Sequence, residues 1–308
     1  MRYQSAINLQ MWPVLLALLW TAPSWALLGG QADTPDGFGA VIAMMRDDQA
    51  LHCSATKISQ NVFLTAAHCV ASTRTGTIDA AFVAGQTLFI SAAPAPKNRN
   101  DFIKLTVKRA QLHSGYLTGL QRFFAYKTQR IAAYQQRYSG EDLARRIRVL
   151  EADNHFTARF PDLAVVVVRE PTPMIPSAAV DCTPLAAGDK VQLVGYGYDS
   201  IKHFAQIRKT APFGQRHWGT TDVIRVDPIN FYTYGGLLRA GEPSLSPGDS
   251  GGPVLRRGRV VGVNGTVYGL SRLDAARSNM AVNLNGLDAP AGDNSGAHCR
   301  AFFRKLTP

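Results

Sequence analysis

An all-β fold is the expectation for this chain of 308 residues, and three observations predict it. Short apolar runs rich in Val and Ile recur along it. Gly, Pro and Asn separate those runs, and helical apolar spacing is read at 141–150 and 297–306. The length allows two modest cores. A composition of 46% hydrophobic and 18% charged residues is ordinary for a globular protein and excludes disorder across the whole chain.

The elements follow in order. Residues 1–26 read as a secretory leader, with Arg2 near the start, an apolar stretch over 11–20 and Ser24-Trp25-Ala26 as a small-residue cleavage site. That stretch is too short to span a membrane comfortably, and no other segment offers a spanning helix. Strands are expected at 41–44, 62–65, 80–83 and 163–168, then at 191–195, 223–226, 254–255 and 260–263, with a closing helix at 297–306. The four cysteines, in an exported chain without a Cys-x-x-Cys spacing, favour disulfides over a metal site, and three pairings are open. Nothing implies a metal or an organic cofactor.

The chemistry is concentrated in Gly248-Asp249-Ser250-Gly251-Gly252-Pro253. Glycines on both sides of a serine let backbone N–H groups converge on one point without Cβ atoms in the way, as stabilising an oxyanion beside an attacking hydroxyl requires. A serine hydroxyl is a poor nucleophile at neutral pH, so it needs a histidine base and a carboxylate to hold that base in one tautomer. His68 follows the apolar run Val62-Phe63-Leu64, and Asp162 opens a run of four valines that must be buried. A carboxylate at the mouth of such a strand needs a partner, which His68 would supply.

On these residues the chain resembles the chymotrypsin-like (trypsin-like) serine proteases. The order His68, Asp162, Ser250 is the order of that family, and Ala66-Ala67-His68-Cys69, Asp162-Leu163-Ala164 and the hexapeptide around Ser250 match its motifs. The resemblance implies two antiparallel six-stranded β-barrels with a C-terminal helix, divided as 27–183 and 184–308. It implies peptide-bond hydrolysis with Ser250 as nucleophile, His68 as general base and Asp162 as the group orienting it. The N–H groups of Gly248 and Ser250 would form the oxyanion hole. It selects the disulfides Cys53–Cys69 and Cys182–Cys299. Leader cleavage would expose Leu27-Leu28-Gly29-Gly30, whose new α-amino group would pair with Asp249. By spacing, Ser244 stands at the base of the primary specificity pocket, and a neutral residue there favours apolar or small side chains before the scissile bond.

The departure from the family lies between His68 and Asp162, 94 residues apart, about twice the compact separation. An insertion at about 95–155 in the first barrel is expected, basic and partly helical, because residues 97–150 carry twelve Lys and Arg against three acids. With a formal charge of +11 for the whole chain, most of the net charge falls there. Such a patch suits an acidic surface or polyanion as well as a protein or peptide substrate, while no recognised nucleic-acid module is present. A non-catalytic polyanion-binding protein and an esterase on the same scaffold are the competing functions.

Overall fold

The computed structural model describes residues 27–33, 37–45, 51–152, 159–198, 214–268 and 277–306. The proposed leader lies outside them. Thirteen strands are described. β2 (Val41–Met45), β3 (Leu51–Ser59), β4 (Val62–Thr65), β5 (Thr87–Ser91), β6 (Ile103–Leu112) and β7 (Ala164–Val168) close into an antiparallel barrel in the order β2-β3-β4-β7-β6-β5. The second sheet runs β1-β9-β10-β13-β12-β11-β8, built from β1 (Gln31–Ala32), β8 (Lys190–Gly195), β9 (His217–Val226), β10 (Asn230–Tyr234), β11 (Pro253–Arg256), β12 (Arg259–Tyr268) and β13 (Ser278–Asn283). Pairing of β8 with β9 closes six of these strands into the second barrel and leaves β1 on the outside of β9.

The expected runs form strands where apolar residues fill both faces: all five residues of β2 and of β7 are buried, as suits strands enclosed by a core. Segment 80–83 differs. Ala80–Phe82 is a 3-10 turn, because the Asp79 side chain accepts the Ala81 N–H and stabilises a helical start. The segment 103–112, counted by charge with the insertion, is the barrel strand β6. Its Leu105 and Val107 are buried while Lys104, Lys108 and Arg109 point away, so the excursion from the barrel begins only at His113.

Between β6 and β7 the chain runs through α2 (Ser114–Arg137) and α3 (Gly140–Ala152), following the single-turn helix α1 (Ala67–Val70). α2 buries only Tyr116, Leu120 and Phe123, an i, i+4, i+7 stripe confined to its first half. Gly119 allows this approach, since a Cβ there would lie 2.0 Å from the Phe160 ring. The outer half is joined to α3 by polar contacts: Lys127 Nζ donates to the Glu151 carbonyl (3.1 Å), and the Arg146 guanidinium stacks 3.8 Å above the Tyr138 ring.

The chain ends cross between barrels. β1 pairs with β9, while α4 (Ala297–Arg304) and the residues after it send Phe303 and Leu306 into the large core that contains the first barrel. Phe302 lies 5.4 Å from the His113 ring, and Cys182–Cys299 ties α4 to the connection between the barrels. A fully buried cation adds a third link. Arg216, just before β9, bonds Asp33 (Nε to Oδ2, 2.6 Å), the carbonyls of Val41 and Ala92, and the Tyr196 hydroxyl.

Candidate active site

Strand register brings the site together. Thr65 at the end of β4 pairs with Ala164 at the start of β7, so His68, three residues after one, and Asp162, two before the other, meet at the same barrel end. Asp162 is fully buried and takes two hydrogen bonds from one residue: His68 Nδ1 donates to Oδ2 (2.6 Å) and the His68 backbone N–H to Oδ1 (2.9 Å). Burial opposes the imidazolium, but the Asp162 charge and hydrogen bond outweigh it and hold the His68 pKa above its ordinary value. The Cys53–Cys69 disulfide lies beside this pair. Its sulfurs are bonded to each other, so their closeness to His68 does not make a metal site.

Ser250 comes from the second barrel, in the turn that leads into β11. Gly248 has φ 100° and Gly251 φ 85°, values that only glycine adopts freely. Space demands glycine as well, since a Cβ on Gly251 would lie 2.1 Å from Thr65 Oγ1 and 2.2 Å from the Ser54 carbonyl oxygen. This close approach of barrel to barrel sets Ser250 beside the His68 turn, with its carbonyl oxygen 3.7 Å from Cys69 Sγ. The Ser250 hydroxyl itself donates to the Gly265 carbonyl (3.3 Å), and the imidazole's described bonds go to Asp162. Among the described bonds none joins the Ser250 hydroxyl to the imidazole.

Asp249 points inward. Its carboxylate accepts from the N–H of Gly197 (2.7 Å), the N–H of Ser246 (2.8 Å) and Ser246 Oγ (3.0 Å). Burial outweighs these bonds and pushes its pKa up to about 6. Leu27 is buried in the second-barrel core with Leu193, Leu245 and Val254, and Leu28 bridges Ser244. Among the described bonds none joins Leu27 to Asp249.

Ser244 is buried. It donates its N–H to the Leu28 carbonyl (2.8 Å) and accepts the Gly236 N–H on Oγ (2.8 Å). Glu242, the nearest acid in sequence, is held by Arg239, which also bonds Asp222, so its charge is answered outside Ser244. Two residues that the sequence reading did not single out contribute here. Asn279, buried and in register with Val267, accepts the Leu245 N–H (2.8 Å) and donates to the Pro243 carbonyl (2.9 Å), tying both sides of Ser244. Tyr116 of α2 is buried near Asp162. Burial first, and then the Asp162 charge, push its hydroxyl pKa well above the ordinary tyrosine range.

The sequence profile described as "Trypsin-like peptidase domain" matches residues 53–263. No curated protein sequence matches the chain. Among solved structures, a mutant of human heparin binding protein is similar at a TM-score of 0.57 and 12% identity, covering 91% of this chain and 96% of its own. Neuropsin, a serine protease of mouse brain, is similar at 0.54 and 12% (91% and 99% covered), and a Glu endopeptidase at 0.54 and 14% (90% and 95%). At such identities these likenesses speak for the fold.

Proposed function

Because the chain belongs to the trypsin-like peptidases, we propose that it is an exported serine endopeptidase acting through His68, Asp162 and Ser250. The buried His68–Asp162 bond of 2.6 Å beside the glycine-flanked Ser250 turn carries this reading. In the acylation step Ser250 Oγ attacks the peptide carbonyl carbon, its proton passes to His68 Nε2, and the carbonyl π pair moves onto oxygen. The N–H groups of Gly248 and Ser250 receive that oxyanion, a contribution of about 3 kcal/mol per donor. His68 then protonates the leaving amine, and water repeats the sequence on the acyl-enzyme. Asp162 keeps Nδ1 protonated, so that Nε2 is the basic nitrogen.

Leader removal before Leu27 would supply an ammonium for Asp249. The elevated Asp249 pKa supports this, because it marks a buried carboxylate that lacks a countercharge while the chain continues through residue 26. For the primary pocket, neutral Ser244, whose flanking residues Asn279 holds and whose neighbourhood includes Val267 in register with Asn279, favours small or apolar side chains. The two disulfides suit an extracellular, oxidising setting, and among the described residues no helix is long and apolar enough to cross a membrane.

A fluorophosphonate probe, casein and a panel of peptides and simple esters test the function. Ser250 should be labelled and peptides cut, and Ser250→Ala should lose both while folding normally. Absence of labelling would favour a binding protein, and ester turnover alone an esterase.

A further inference from the structure

The nucleophile turn is held from the opposite barrel by one buried serine. Ser54 lies in β3 and is fully buried. Its backbone N–H donates to the Ser250 carbonyl (2.8 Å). Its hydroxyl donates to the Gly248 carbonyl (2.8 Å) and accepts the Tyr196 N–H (2.9 Å). Its own carbonyl accepts the Thr65 hydroxyl (2.9 Å), three residues before His68. One residue therefore grips the carbonyl oxygens of both residues whose N–H groups are assigned to the oxyanion hole, and touches the strand end that bears the base.

Gly248 most needs an external anchor. A glycine at positive φ has a broad, soft backbone surface, and no side chain of its own restrains the peptide planes on either side. The Ser54 bond fixes the peptide that follows Gly248, while the Tyr198 N–H donates to the Pro247 carbonyl (3.0 Å) and holds the peptide that carries the Gly248 N–H. Tyr196 extends the same lattice: its N–H supports the Ser54 oxygen, and its hydroxyl accepts from Arg216 Nη1 (3.1 Å) and donates to the Ala93 carbonyl (2.9 Å). We propose that Ser54 is a positioning residue for the oxyanion hole, its hydroxyl fixing Gly248 so that the turn is organised before substrate arrives. The proposal rests on the serine-hydrolase reading.

The test uses the mature protein and a peptide trifluoromethyl ketone carrying 13C at its carbonyl. Attack by Ser250 Oγ on that carbon forms a hemiketal, the π pair moves to oxygen and the hydroxyl proton passes to His68. The 13C shift followed against pH reads the acidity of the hemiketal oxygen, which a loss of bulk stability does not move. In Ser54→Ala that pKa should rise by about one unit or more, with kcat down about 10- to 100-fold and KM within twofold. Ser54→Cys, of similar size and a weaker donor, should fall between, and it serves if the alanine variant does not fold. An unchanged hemiketal pKa and kcat in the variants overturns the positioning role alone. Failure of the parent to form any adduct overturns the hydrolase reading, and this proposal with it.

Discussion

Asp249 offers the sharpest test of the link between chain processing and the site. Its pKa, up from 3.8 to about 6 while the chain continues through residue 26, means that the folded state holds a proton that the unfolded state has released. The stability it supports is therefore complete below about pH 3.8 and lost as pH rises through about 6, a total of roughly 3 kcal/mol. About 2 kcal/mol of this falls between about pH 4.5 and pH 7.5. The perturbation is Asp249→Asn in a Ser250→Ala background, made in the leader-bearing chain and in the chain beginning at Leu27. Urea denaturation across that range gives the difference between Asp and Asn proteins, and any constant penalty of the amide cancels from its pH dependence. In the leader-bearing pair, the Asp protein should lose about 2 kcal/mol relative to Asn as pH rises. In the pair beginning at Leu27, the new ammonium should flatten or reverse that slope. A flat difference in the leader-bearing pair refutes the burial argument, and equal slopes in both pairs refute the Leu27–Asp249 pairing.

The His68–Asp162 pair and the Arg216–Asp33 link supply the other expected outcomes. Because the His68 pKa is raised, peptide hydrolysis should climb on the acid side through a midpoint above the ordinary histidine value of about 6.5. Asp162→Asn should move that limb down and reduce kcat on the order of 10⁴-fold, as read from a pH–rate profile. The same sign applies to stability, where the pair's contribution is complete below about pH 6.5 and lost as pH passes the raised folded value. Arg216→Ala should destabilise the fold by about 3–5 kcal/mol in urea denaturation, because Asp33 would be left buried and unpaired, and Asp33→Asn combined with it should recover part of the loss.

His68, Asp162 and Ser250 stand out in the sequence because each motif carries its own chemistry within a few residues, an imidazole after a strand, a carboxylate before one and a hydroxyl between glycines, and the structure joins the first two. β2, β4 and β7 were legible for a related reason, since their apolar residues fill both faces. β3 was not, because Ser54, Thr56 and Lys57 make its sequence look solvated. Lys57 is buried with its ammonium on the carbonyls of Thr172 and Ile175, and burial lowers its pKa. β6 was hidden by its basic outer face. Residues 80–83 looked like a strand because apolar content says nothing of the Asp79 cap. The roles of Ser54, Tyr116 and Asn279 rest on contacts that local pattern does not encode. Ser54 meets Gly248 across 194 residues of chain.

The crossing of the termini bears on how the cleft keeps its shape. The outermost strand of the half that carries Ser250 comes from residues 31–32, and Phe302 near the other end packs against His113 of the half that carries His68. Each lobe thus wears a piece of the other, like two hands clasped by their fingertips. Severing the peptide between β7 and β8 would leave fragments still interlocked, with the walls of the groove facing each other, whereas trimming either terminus would loosen the lobe at the far end of the sequence.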